Sequence, residues 1–255
     1  MNNPMITAHS GCELTEIDSM ISIDLALECG ADAIEVDVRM DPFKGLRISH
    51  NEVSLENYKL KMTLRDVFEK ISDTNLSVNC DIKEQEALYR TLEEAEKFGF
   101  PPERLILSGC TSVEQLARDM SIAKRGTFFL NLEEVLKFVY IRRAIEFDIK
   151  NFFLLLNDPW KFLKEKALDL REEWVDDTVS CYQMLPFAAA NLPKTLLNTN
   201  LVKALQAAGV PLSIWTVNEA DLVRRCLEEN VRNITTRQVR QAIHLRNEAA
   251  RILEQ

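Results

Sequence analysis

Acidic side chains alternate with apolar ones along Ala33, Ile34, Glu35, Val36, Asp37, Val38. If this run is a strand, Glu35 and Asp37 share one face and Ile34, Val36 and Val38 the other, because successive side chains point to opposite sides. Two like charges side by side on an apolar strand are costly unless water solvates them or a cation lies between them, and oxygen ligands favour Mg²⁺ or Ca²⁺. A third carboxylate, Asp81, stands in the strand-like segment Leu76 to Lys83, where period two puts Lys83 on the same face. A divalent-metal site beside a phosphate-binding ammonium is one reading of these four residues. The plainer alternatives are a solvated strand end for Glu35 and Asp37 and a structural ion pair for Asp81 and Lys83.

Only three histidines occur, and two of them, His9 and His50, end the strand-like runs Met5 to His9 and Leu46 to His50. Cleavage of a phosphodiester needs a base to activate the attacking hydroxyl and an acid to protonate the leaving oxygen, tasks that two imidazoles can share near neutral pH. Taken singly, each also reads as a hydrogen-bonded structural histidine. His244 lies in a helical pattern and receives no role.

These residues need a scaffold that gathers strand ends. Short β-branched or apolar runs alternate with helical periodicity, the order expected of parallel βα units. Eight strands are expected near Met5 to His9, Asp32 to Val38, Leu76 to Ile82, Leu105 to Ser108, Gly126 to Leu130, Thr178 to Gln183, Pro211 to Val217 and Arg232 to Thr235. Helical patterns cover Ile17 to Cys29, Leu64 to Ile71, Gln85 to Phe98, Ser112 to Ile122, Glu219 to Glu229 and Arg237 to Leu253, with Thr63, Thr111 and Asn218 as expected caps. Leu132 to Trp174 breaks the alternation and reads as an extra helical excursion, with Phe152 to Leu156 as an alternative sixth strand. The expected fold is a single-domain (β/α)₈ barrel, an architecture of about 250 residues that collects functional side chains at the C-terminal ends of its strands.

The chain has 255 residues and a formal net charge of -9. That balance argues against nucleic acid or an anionic membrane as the main partner, and requires any phosphodiester to be neutralised locally. The six cysteines form no CxxC pair and read as reduced structural thiols. Neither a secretory signal nor a run long enough to span a bilayer is visible, so a cytoplasmic protein without a membrane anchor is expected.

The order of these residues resembles the glycerophosphodiester phosphodiesterase family across nearly the whole chain. The family's His-Arg-Gly is similar to His9-Ser10-Gly11, its Gly-Ala-Asp-x-Ile-Glu-x-Asp-Val is matched by Gly30 to Val38, and its His-Asp resembles His50-Asn51. Its Glu-x-Lys is similar to Asp81-Ile82-Lys83, and its penultimate and last strand motifs resemble Trp215 to Asn218 and Asn233 to Thr236. The resemblance implies His9 and His50 as the acid and base, Glu35, Asp37 and Asp81 as ligands of Mg²⁺ or Ca²⁺, Lys83 as a phosphate contact and Trp215 as part of the substrate wall. It implies metal-dependent hydrolysis of a small glycerophosphodiester to glycerol phosphate and an alcohol.

Four departures stand out: Ser10 replaces the family's phosphate-binding Arg, Glu16-Ile17-Asp18-Ser19 replaces Pro-Glu-Asn-Thr, Asn51 replaces Asp, and Asp81 is shorter than the family's Glu. A serine hydroxyl cannot replace the bidentate contact of a guanidinium. Arg39, two residues beyond Asp37, is a candidate for the missing positive charge. Two other readings follow: a catalytically impaired barrel that binds a phosphorylated ligand or partner, and a related lyase that forms a cyclic phosphate.

Overall fold

A computed structural model describes residues 3–142, 149–159, 161–162, 170 and 172–253. Eight parallel strands form a closed barrel: β1 (Met5–Ala8), β2 (Ala33–Met40), β4 (Ser77–Ile82), β5 (Leu105–Gly109), β6 (Thr127–Asn131), β7 (Ala188–Pro193), β8 (Leu212–Trp215) and β9 (Asn233–Thr236), with β1 paired to both β2 and β9. The short β3 (Leu46–Ile48) lies outside the ring and pairs antiparallel with the end of β2, so the strand-like run that carries His50 is a hairpin arm and not a barrel strand.

Helices α1 (Met20–Glu28), α2 (Leu64–Ile71), α3 (Gln85–Phe98), α4 (Val113–Arg118), α5 (Leu132–Arg142), α6 (Ile149–Asn157), α7 (Glu172–Met184), α8 (Asn200–Ala207), α9 (Ala220–Glu228) and α10 (Val239–Leu253) are the described α-helices. Outward strand residues such as Ile34, Val36, Val38, Val78, Cys80 and Ile82 bury against the helices in one continuous core. The inward face is layered. Met5, Ala33, Ile106, Phe129 and Ala189 form a separate apolar plug at the strands' N-terminal ends. Above it Thr7, Glu35, Asn79, Ser108, Asn131, Asn191, Ser213 and Asn233 are buried and polar.

Such a polar layer persists only if its groups bond to one another. Thr7 Oγ1 donates to Asn233 Oδ1 (2.7 Å), Asn233 Nδ2 to Ser213 Oγ (2.9 Å), Ser213 Oγ to Asn191 Oδ1 (2.8 Å) and Asn191 Nδ2 to Asn131 Oδ1 (2.7 Å), linking β1, β9, β8, β7 and β6. The network fixes the inward faces of five strands on which the mouth above is built.

The sixth barrel strand corrects the sequence expectation. Thr178 to Gln183, expected as a strand, lies within α7, whose buried residues Trp174, Val175, Thr178, Cys181 and Tyr182 recur with helical period. The strand is Ala188–Pro193 instead. Its alanines and proline carry little strand propensity, and its place between β6 and β8 settles its state. Phe152 to Leu156, the alternative strand, lies in α6. Leu132 to Trp174 is helical in α5, α6 and the start of α7, and its remaining parts fall partly outside the described residues.

Thr63 caps α2 through a reciprocal box with Asp66, as expected. Ser112, not Thr111, caps α4. Asn218 does not cap α9; its Oδ1 accepts from the Arg237 backbone N–H (2.9 Å) and the Thr236 hydroxyl (3.3 Å), tying the β8 end to the β9 end. All six cysteines are free, and no helix among the described residues is long and apolar enough to cross a membrane.

Candidate active site

The C-terminal ends of the strands surround a cavity of about 360 Å³. On β2, Glu35 and Asp37 are both buried, and the β2–β4 register sets Asp37 directly beside Asp81. One carboxylate oxygen from each of Glu35, Asp37 and Asp81 lies within 4.8 Å of the others. Lys83 bridges two of them, its Nζ standing 2.5 Å from Asp37 Oδ1 and 2.5 Å from Asp81 Oδ2.

Burial, reinforced by Asp37 and Asp81, pushes Glu35 well above the usual carboxylate range. Burial also raises Asp81, against the pull of Lys83. At Asp37 burial is outweighed by Lys83 and His50, which hold its carboxyl low. Burial likewise disfavours the Lys83 ammonium, yet Asp81, Asp37 and Glu35 together raise it above its ordinary value. Three carboxylates against one ammonium leave negative charge in a poorly solvated place, and a hard divalent cation suits both that deficit and the all-oxygen donor set.

Gly109 makes the close approach of β5 possible. Its φ is +80°, and a Cβ there would lie 2.2 Å from Asp81 Oδ1 and 2.3 Å from the Ile82 carbonyl oxygen. Only glycine leaves the Asp81 carboxylate its place.

His9 and His50 reach the cavity from β1 and from the turn after β3. His50 Nδ1 is 2.9 Å from Asp37 Oδ2. His9 Nδ1 lies 3.8 Å from Glu35 Oε2, and it shares the Arg237 Nε–H, at 3.2 Å, with the Ser10 carbonyl oxygen, also at 3.2 Å. Burial, with the Arg237 guanidinium adding to it, keeps His9 below the ordinary imidazole range. With Nδ1 engaged in each ring, Nε2 is the nitrogen available for proton transfer.

The side chains of Ser10 and Arg39 do not line the cavity. The Ser10 hydroxyl donates to Asp18 Oδ1 (3.2 Å) and accepts from the Asp18 backbone N–H (2.8 Å), while its own N–H donates to Glu35 Oε2 (3.1 Å). Asp18 Oδ2 in turn accepts the His50 backbone N–H (2.7 Å). Asp18, in the segment that departs from the family's box, therefore holds His50 and Ser10, and Ser10 in turn holds Glu35. Arg39 pairs with Glu84 at 2.6 Å and donates to the His50 carbonyl (3.2 Å), away from the cavity lining. Trp215 lines the cavity from the end of β8.

Two charged lining residues went unread in the sequence. Arg237 follows β9 directly and, with Lys83, supplies the basic side chains of the described lining. Its position one residue past a strand end was the available signal. Glu133, at the start of α5, sits in a sequence of ordinary helical acids that offers no signal.

A parallel barrel with an acidic metal-type cluster, two imidazoles and two cations at its C-terminal mouth defines the class as a phosphodiesterase-type barrel enzyme. The family model for "Glycerophosphoryl diester phosphodiesterase family" matches residues 40–240, and the chain belongs to that family of phosphodiesterases. The match contains His50, Asp81, Lys83, Trp215 and Arg237; His9, Glu35 and Asp37 precede it.

Solved structures share the fold over nearly the whole chain. A glycerophosphodiester phosphodiesterase from Thermotoga maritima is 18% identical with TM-score 0.67, over 96% of this chain and 99% of that one. A putative glycerophosphoryl diester phosphodiesterase from Agrobacterium tumefaciens is 14% identical with TM-score 0.70, over 98% and 100%. A phosphodiesterase from Oleispira antarctica, solved with its product sn-glycerol-3-phosphate, is 14% identical with TM-score 0.64, over 96% and 97%. No curated protein matches the chain in sequence.

Proposed function

We propose that this protein hydrolyses a small glycerophosphodiester to glycerol phosphate and an alcohol with the help of Mg²⁺ or Ca²⁺, and that residues 1–255 act as one domain. The observation that carries the reading is the convergence of Glu35, Asp37 and Asp81 within 4.8 Å, with Lys83 between two of them and His9 and His50 alongside. Glu35, Asp37 and Asp81 would hold the cation. When bound, it supplies Lewis-acid stabilisation of charge on the phosphoryl oxygens.

The remaining work falls to the chain's own side chains. Lys83 and Arg237 attract and orient the diester anion, which the protein's overall charge of -9 repels. One imidazole takes a proton from the attacking water and the other returns a proton to the leaving alcohol through Nε2, each ring held by its Nδ1 contacts. Trp215 walls the bound substituent. Arg237 weighs against the catalytically impaired reading, because it brings a guanidinium to the mouth although Ser10 has none.

Steady-state hydrolysis of glycerophosphocholine, with and without Mg²⁺ or Ca²⁺, tests the proposal. Turnover that chelator abolishes and that His9→Ala or Lys83→Met lowers at least about a hundredfold is expected. Full turnover in chelator, or in both variants, would refute it. Phosphorus NMR separates the hydrolase from the lyase: glycerol phosphate formed without a prior cyclic phosphate is the expected product.

A further inference from the structure

His50 does not stand on the barrel itself. It follows β3, on the arm that leaves the ring at the end of β2, and its side chain is 64% exposed. A proton-transfer group in such a place has to be held firmly, because a displacement of about 1 Å can cost on the order of a hundredfold in rate. β2 holds it from one side: Ser49 N–H donates to the Asp37 carbonyl oxygen (2.9 Å), Arg39 Nε–H donates to the His50 carbonyl oxygen (3.2 Å), and His50 Nδ1 meets Asp37 Oδ2 (2.9 Å). Three contacts to a single strand still allow Ser49 and His50 to pivot about it.

Asp18 supplies a contact from a second direction. The loop between β1 and α1 brings it there. Thr15 folds back on the Cys12 carbonyl oxygen through its N–H (3.1 Å) and its hydroxyl (2.7 Å), and Gly11 (φ +78°) packs so close that a Cβ would meet Ile17 Cγ1 at 2.9 Å. Asp18 itself has φ +58°, a left-handed conformation that aspartate tolerates better than most residues and that persists only where the surroundings impose it. Its two oxygens then meet two partners. Oδ2 accepts the His50 backbone N–H at 2.7 Å; Oδ1 accepts the Ser10 hydroxyl at 3.2 Å, while the Ser10 oxygen takes the Asp18 N–H at 2.8 Å. The Ser10 N–H reaches Glu35 Oε2 at 3.1 Å.

We propose that Asp18 is a positioning residue for the acid–base step: it ties His50 to the β1 loop and, through Ser10, to Glu35 of the acidic cluster, so that imidazole and cluster keep one geometry during turnover. This rests on the hydrolytic reading. Asp18 bears on kcat rather than on KM, because Lys83 and Arg237, which bind the diester, take their contacts from Asp37, Asp81, His9 and the Ser10 carbonyl oxygen.

Two substitutions separate loss of the tie from loss of the fold. Glycine accepts φ +58° without strain and removes both carboxylate contacts. Asparagine tolerates the same backbone conformation, and its amide can accept from the His50 N–H and donate to the Ser10 oxygen.

The test measures kcat and KM for glycerophosphocholine, and amide hydrogen exchange at His50, in the wild type, Asp18→Gly and Asp18→Asn. For Asp18→Gly, kcat is expected to fall roughly tenfold to a hundredfold at a KM within about twofold of wild type, with His50 exchanging at least about tenfold faster while the β2 amides keep their protection. Asp18→Asn should stay within about threefold of wild type in both kcat and exchange. A kcat for Asp18→Gly within about twofold of wild type, a change carried by KM, an equal loss in Asp18→Asn, or unaltered exchange at His50 overturns the inference and leaves the hydrolytic reading standing. Should Asp18→Gly lose the protection of β2 as well, Ser10→Ala decides: a kcat lowered at least about threefold at unchanged KM supports the tie, and wild-type kcat ends it. If the wild type shows no turnover, the hydrolytic reading fails and this inference with it.

Discussion

Replacing Glu133 by glutamine should stabilise this protein, and by an amount that depends on pH. Burial pushes the Glu133 carboxyl from the ordinary glutamate value of 4.5 up to about 7. Between those values the folded chain keeps a proton that the unfolded chain has released, so the wild type loses stability as pH rises through this window and has lost the full amount above about 7. At 1.36 kcal/mol for each factor of ten, the whole effect is roughly 3 kcal/mol, of which about 2.5 kcal/mol develops between pH 5 and pH 8. Glutamine keeps the shape and cannot ionise, so it escapes that penalty. Urea unfolding of both proteins at the two pH values gives the difference directly. Glu35 and Asp81, also raised by burial, are present in both chains and cancel in the subtraction. An advantage for Glu133→Gln that grows by about 2 to 3 kcal/mol from pH 5 to pH 8 is expected. A difference that stays constant, or one that favours the wild type at pH 8, would mean that the Glu133 carboxyl is solvated or paired and that the reasoning from its burial is wrong.

Adding Mg²⁺ or Ca²⁺ alone should raise the melting temperature of the wild type, because an ion that binds only the folded cluster stabilises it, while Asp37→Asn should remove most of that response in the same thermal scan. Arg237→Ala should lower kcat/KM for glycerophosphocholine by roughly tenfold to a hundredfold, and Arg39→Ala, which loses only the Glu84 pair and the His50 carbonyl contact, by less than about threefold. The reverse ranking in steady-state kinetics would move the second phosphate cation back to Arg39. Gly109→Ala should cost at least about 3 kcal/mol in urea unfolding, since the methyl meets Asp81 Oδ1 at 2.2 Å in a left-handed backbone conformation. A near-neutral effect would show that β5 can withdraw from the carboxylate.

Local sequence determined those parts of the protein whose physics is local. Alternation along β2 is enough to place Glu35 and Asp37 on one face, and the same period places Asp81 beside Lys83. The reciprocal bonds of Thr63 and Asp66 span only three residues, and the start of α2 was legible for that reason. Tertiary structure decided what depends on neighbours distant in the chain. Ala188–Pro193 is a strand because β6 and β8 leave one place between them, while the more strand-like Thr178 to Gln183 turns helical to bury Thr178, Cys181 and Tyr182 on one side. Arg39 is drawn to Glu84, 45 residues on, and Arg237 reaches His9 across 228 residues once β9 lies against β1. Which arginine faces the mouth is set by closure of the ring, since closure alone brings the two ends of the chain together. The solvation of each carboxylate is likewise a property of the assembled cavity, and no window of sequence around Glu133 contains the atoms that desolvate it.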